Sequence, residues 1–211
     1  MSDDPQRSEP SPPLSAAAAA EWIRLVENVL RGVAHGLNNR AAALSALVEL
    51  TSEPPERPSV LREILNAEQQ RVRDLVHAVL TIGAPRGEPE ALSPADVMAD
   101  VGIVLEQHPD LRGGELQIDA SQGSPLRVPR WAFVRAVIAL AAGLAGATRA
   151  EARRLDITTE GDWLLIASGD RGPTPSPLAT ELARYMGGEP LDGRYGIRVP
   201  TLAALRRREG R

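Results

Sequence analysis

The stretch GVAHGLNNRAAALSAL, residues 32–47, decides how this chain is read. Val33, Leu37, Leu44 and, just beyond it, Val48 recur at steps of three, four and seven, as on one side of a helix. Extended upstream through Val26 and Leu30, these positions form the seam of a helical bundle. At ~100° per residue, His35 lies about 175° from the centre of that stripe. It is therefore expected on the outer face near mid-helix, with Arg24, Glu27, Arg31, Asn38, Asn39 and Glu49 around it. Gly32 and Gly36 flank it, and each costs roughly 1 kcal/mol against Ala in a helix interior. Helix stability alone does not account for them. Close approach of a partner's backbone to His35 does, with Arg31, Gly32, Gly36 and Asn38 as the docking residues. Asn39, one turn on, can hydrogen-bond a group held against the imidazole.

Outward from this stretch the first helix runs from Ser15 to about Ser52, where SEPPERP (52–58) stops it, because proline cannot continue a helix. A second helix starts near Ser59, with Leu61, Leu65, Val72, Leu75, Val79 and Ile82 as its apolar stripe. Residues 15–84 thus form a long antiparallel helical hairpin. Two amphipathic helices do not close a core around themselves. A second copy of the hairpin, giving a dimeric four-helix bundle, completes it, and packing of the C-terminal half on the hairpin is the alternative. Residues 1–14, rich in Pro, Ser and charge, are expected to be disordered.

The second half changes character after a linker at 85–94. PADVMADVGIVLEQ reads as a helix with Ser93 as N-cap, GELQIDA as a strand, and PRWAFVRAVIALAAGLAGATRA as a buried helix. RLDITTEGDWLLIASGD reads as a hairpin turning at EGD, PLATELARYMGG as a helix ended by Gly187 or Gly188, and YGIRVPTLAALRR as a last strand with a basic tail. Residues 95–211 are then a small α/β sandwich, and the whole chain is α+β.

Composition limits the function. The net charge of −4 argues against a general nucleic-acid binder. The absence of cysteine excludes disulfides and thiolate metal sites. The longest apolar run holds Arg135 and falls short of the roughly 20 residues a bilayer needs, and the acidic, Pro/Ser-rich N-terminus is unlike a signal peptide. A cytoplasmic protein with no membrane partner is expected. His77 reads as part of a solvated face, His108 as a turn residue before Pro109, and Trp22, Trp131 and Trp163 as scattered core or edge residues. Three dispersed histidines make no metal site of recognisable spacing.

AHGLNNRAAAL resembles the H-box of two-component histidine kinases, whose usual form is His-Glu-Leu-Asn-Asn-Pro-Leu. A helical hairpin followed by a small α/β domain is also that family's core: a dimerisation and phosphotransfer bundle, then an ATP-binding domain. The resemblance spans residues of about 20–205 and implies that His35 is the phospho-acceptor. Neutral imidazole is a competent nucleophile toward phosphorus. Two positions depart from the pattern: Gly36 stands where the family has an acidic residue, and Arg40 where it has proline.

The departures are larger in the second domain. The family's N-box helix supplies asparagines, one of which holds Mg²⁺. In the matching VRAVIALAAGLAGA, Ala139 and Gly143 occupy those places, and neither offers the oxygen a hard cation needs. The Asp-x-Gly-x-Gly motif reads GDRGPTPSP. Asp170 and Gly172 match, Thr174 replaces the second glycine, and prolines lead straight into the next helix. Asp170 is then either a vestigial purine contact or a turn residue before Gly172. The resemblance thus implies a histidine phosphotransferase relaying a phosphoryl group between response-regulator receiver domains, one of them on an upstream hybrid kinase. The chain would bind no cofactor, the Mg²⁺ being the receiver's. The alternatives are a non-catalytic adaptor or pseudokinase and an active kinase with an unusual ATP site. Asn39 also stands where family phosphatases orient a water.

Overall fold

The computed structural model describes residues 14–50, 58–111, 116–147, 154–169 and 174–210. The chain is α+β: a long helical hairpin followed by a small α/β sandwich. Helix α1 spans Ala16–Leu50 and α2 spans Pro58–Ile82. The proline-rich break between them lies outside the described residues.

The expected linker is partly structured. Strand β1 (Glu90–Leu92) pairs antiparallel with β3 (Leu126–Val128) in a two-stranded sheet. Runs of three residues are too short to leave a periodic signature. Helix α3 (Pro94–Leu105) follows. Ser93 stands at its N-cap with extended backbone but makes no side-chain capping bond, and Pro94 opens the first turn. A 3₁₀ turn at Pro109–Leu111 leads toward β2 (Gln117–Gln122). Helix α4 (Arg130–Ala147) comes next, then β4 (Arg154–Glu160) and β5 (Trp163–Ala167), helix α5 (Pro177–Tyr185), β6 (Glu189–Pro190) and β7 (Gly196–Pro200). The expected basic tail is a helix, α6 (Leu202–Glu209), whose N-cap Thr201 accepts a hydrogen bond from the Ala204 N–H.

The larger sheet has the order β2-β4-β5-β7-β6. Strands β4 and β5 form the expected hairpin, Glu160 opposite Trp163, whereas β2 runs parallel to β4. Helix α4 fills the core: Ala132, Phe133, Ala136, Val137 and Leu140 are shut off from solvent, as are Leu155, Ile157, Leu164, Ile166, Ile197 and Val199 of the sheet. With so few aromatics, the small alanines of α4 let neighbouring elements approach closely.

The hairpin does not stand apart from this sandwich. The first half of α1 packs on α5 and α4, burying Ala18, Leu25, Val29 and Val33. Glu21 Oε2 accepts the Leu178 N–H at 2.9 Å, at the N-terminus of α5, and Glu181 Oε2 accepts the Ser15 N–H at 2.9 Å. The expected stripe is therefore divided. One flank faces α2 and the sandwich. The other remains exposed, with Leu30, Leu37, Leu44 and Val48 of α1 beside Leu65, Val76, Val79 and Leu80 of α2.

Two of the tryptophans are not scattered but converge on Arg135. Its guanidinium carbon lies 4.4 Å from the centre of the Trp22 ring and 5.1 Å from that of Trp131. Arg135 also donates to the carbonyls of Ile82 (3.4 Å), the last residue of α2, and of Ala84 (3.1 Å) just beyond it. Burial lowers its pKa from the ordinary arginine value. Its Nε has no hydrogen-bond partner among the described residues, so the two indole faces supply the compensation. One side chain thus ties α1, α2 and α4 together. Arg135→Ala is expected to lower stability by about 3 kcal/mol, through two lost cation–π contacts, two unsatisfied carbonyls and a cavity. Urea unfolding measures it, and a loss below about 0.5 kcal/mol would refute the joint.

Candidate functional site

His35 lies on the exposed face of α1, as the periodicity requires, with Arg31, Asn38 and Asn39 also exposed. The Asn39 amide nitrogen is 3.1 Å from His35 Nε2. An amide nitrogen only donates, so in this orientation Nε2 carries the lone pair and Nδ1 the proton. With the amide placed this way, Asn39 holds the His35 ring with its Nε2 lone pair engaged.

The two glycines do something other than admit a partner. Gly32 lies in the buried face of α1. Gly36 faces α2: a Cβ there would press on the Leu75 methyl carbons at 3.0 and 3.3 Å. Its missing side chain therefore lets α2 sit close beside His35. The signal was present in the composition, but it marks helix-to-helix contact within one chain, which depends on the unseen position of α2.

That close approach forms a cavity of about 260 Å³ beside His35, lined also by Asn39, Arg40, Arg71, Asp74 and Glu106. Arg40 reaches across to α2. Its Nη1 donates to both carboxylate oxygens of Glu68 at 3.0 Å, and Arg71 donates to Glu68 Oε1. Glu68 is 5% exposed. The hydrogen bond from Arg40, reinforced by that from Arg71 and opposed by burial, holds its carboxyl below the usual carboxylate range. Seven-residue steps explain the pairing. Arg40 continues Val26 and Val33, and Glu68 continues Leu61 and precedes Leu75, so both charges occupy seam positions of their helices. Sequence reading passes over Glu68 and Arg71 because each looks like an ordinary surface charge.

The other histidines are engaged. His77 Nε2 lies 2.8 Å from Asp100 Oδ1 on α3, and Arg130 of α4 donates to Asp100 Oδ2 at 2.5 Å. This is a joint between α2 and the sandwich, not a plain solvated face. Burial opposes the Asp100 charge, but the hydrogen bonds from Arg130 and His77 outweigh it and hold the carboxyl below its ordinary range. His108 is buried: it meets Asn28 of α1 at 3.4 Å through Nε2, and its Nδ1 accepts the Asp110 N–H at 3.3 Å. Burial lowers its pKa, against the pull of Asp110.

The nucleotide side of the resemblance does not fit. Ala139 and Gly143 face a space of about 420 Å³ that Glu21, Arg24 and Asn28 of α1 also line. No oxygen donor comes from either α4 position, and a Cβ at Gly143 would overlap the Tyr195 hydroxyl outright. That hydroxyl donates to Leu140 O at 2.8 Å, and burial raises its pKa well above the ordinary tyrosine value. Asp170 and Gly172 lie outside the described residues. Among the described residues no group of three or more His, Cys, Asp and Glu could hold a metal ion, and no helix is long and apolar enough to cross a membrane.

No protein-family model matches the chain, and no curated protein does. Among solved structures it is similar to the histidine kinase AdeS of Acinetobacter baumannii, at 15% identity and a TM-score of 0.40, over 80% of this chain and 98% of that one.

Proposed function

We propose that this chain is a histidine phosphotransferase of two-component signalling, relaying a phosphoryl group between receiver domains through His35. The observation that carries this reading is an exposed imidazole whose Nε2 is held at 3.1 Å by Asn39, at the edge of a cavity flanked by Arg40 and Arg71. Phosphoryl transfer needs positioning and charge stabilisation more than covalent machinery. The Nε2 lone pair forms a bond to phosphorus as the bond to the donor aspartate's carboxyl oxygen breaks. The electron pair leaves with that carboxylate, and the proton on Nδ1 stays in place. Transfer to the next receiver reverses these steps. The receiver brings its own aspartate and Mg²⁺, and this chain brings the imidazole and a docking face around Arg31 and Asn38. Two copies pair through the exposed apolar flank of the hairpin, on the opposite side of α1 from His35.

The test presents the protein with a panel of radiolabelled, phosphorylated receiver domains, beside His35→Ala and a lane of Mg-ATP alone. Acid-labile label is expected from at least one receiver. None is expected in His35→Ala, a loss of at least about 10³-fold, and none from ATP. Label from ATP would make the chain a kinase. Receivers that bind without passing label would make it an adaptor.

A further inference from the structure

The reaction at His35 places three phosphoryl oxygens beside α1, and the structure holds an unassigned cation there. We propose that Arg71, anchored on α2 by Glu68, holds the phosphoryl group while it is carried on His35; this rests on the phosphotransfer reading above.

Arg71 lines the same cavity as His35 and Asn39. Its side chain is 57% exposed, and its described polar partner is Glu68 Oε1, engaged through Nη1. A guanidinium has five N–H donors in a rigid fork, so Nε and Nη2 keep donors for a phosphoryl group arriving from solvent. Arg40 differs: its Nη1 spans both Glu68 oxygens and its side chain is only 28% exposed. Arg40 is therefore the structural half of the cluster and Arg71 the reachable half. Glu68 is the link between them. Buried and ionised, it fixes the Arg71 head at the cavity wall, where a free arginine would sample many rotamers.

The other charges on the cavity tune this contact rather than cancel it. Asp74 accepts a hydrogen bond from Gln70 at 2.9 Å, and Glu106 is exposed at the end of α3, where water screens it. Together they oppose capture of free phosphate. A phosphoryl group delivered covalently onto His35 is held at high local concentration and meets Arg71 regardless.

The test uses phosphoramidate, a small phosphoryl donor that requires no receiver. The Nε2 lone pair takes the phosphoryl group as the P–N bond of the donor breaks and ammonia departs with a proton from water. Acid-labile phosphate is followed over time by phosphorus NMR in the wild type, His35→Ala, Arg71→Gln and Arg71→Lys, with melting temperatures measured in parallel. Arg71→Gln is expected to acquire label about tenfold more slowly at an unchanged melting temperature. Arg71→Lys, which keeps the charge but not the fork, is expected to recover part of the rate. Equal rates for Arg71→Gln and the wild type would overturn the assignment. Equal losses in both variants, together with a fall in melting temperature, would overturn it in favour of a structural role. A wild type that takes no label, or a His35→Ala that still does, would overturn the phosphotransfer reading itself.

Discussion

Gly143→Asn is expected to lower stability by about 3 kcal/mol and to leave the chain without affinity for ATP. The substitution writes back the residue type that the kinase resemblance places on this helix, so on sequence grounds it looks like a repair. The packing says otherwise. A Cβ at Gly143 would overlap the Tyr195 hydroxyl and come within 3.1 Å of Tyr195 Cζ. Tyr195 is 2% exposed and is held by its bond to Leu140 O, so its ring has no free rotamer to take. An asparagine there forces out the tyrosine and breaks a buried hydrogen bond. The measurement is urea unfolding of Gly143→Asn, Tyr195→Ala and the double variant, with calorimetric titration of Mg-ATP into each. If Tyr195 fills the space, the double variant is less destabilised than the two single losses added together, by more than about 1 kcal/mol of coupling. A neutral Gly143→Asn would mean that α4 and Tyr195 are not packed in this way. ATP binding by that variant would mean that a nucleotide site survives beneath the tyrosine.

The same contact shows where sequence reading ends. Tyr195 and Gly143 are far apart in the chain, and no local pattern ties one to the other. What was legible depended on periodicity: the two long helices, the exposure of His35 opposite the stripe, and the β4–β5 hairpin, whose alternation and EGD turn lie within one short stretch. What was not legible depended on tertiary neighbours. Strands β1, β3 and β6, of three residues or fewer, carry no pattern. The helical tail from Leu202 resembles a string of arginines in sequence, because its N-cap, Thr201, directly follows the last residue of β7. Gly36 is conspicuous in sequence for its energetic cost in a helix, but what it accommodates is Leu75. Glu68 was invisible because burial, not residue type, makes it unusual. The N-terminal half of α1 gave no hint that it would dock on α5. Its alanines are compatible with solvent, and only the sandwich's position turns them into a contact.

Replacing both Leu30 and Leu37 by Glu is expected to convert a dimer into a monomer. These two leucines are seven residues apart on α1 and are 43% and 44% exposed, with Leu44 and Ile23 continuing the same line at the same spacing. Beside them run Leu65 and Val79 of α2, also exposed and in step with the half-buried Val72. A contiguous apolar face of this kind on a hairpin matches its own twofold copy, since an isologous interface places the same stripe on both sides. With just under half of each side chain still open, burying the rest stabilises by roughly 1 kcal/mol per leucine, and two leucines in each of two copies give about 4 kcal/mol. Losing that, with four carboxylates added to the interface, weakens association by about three orders of magnitude. Light scattering reads the result directly. The wild type is expected at twice the chain mass of 22.6 kDa and the double variant at 22.6 kDa. A wild type that stays at 22.6 kDa at tens of micromolar would remove the dimer and leave this face for another partner. His35 adds an independent check. It lies across α1 from the leucine line, and its cavity is built from Asn39, Arg40 and Arg71 of the same chain. On the proposed function, a monomer that stays folded is therefore expected to accept phosphoryl groups at His35 as the dimer does. Loss of labelling in a folded monomer would mean that the second copy contributes to the site.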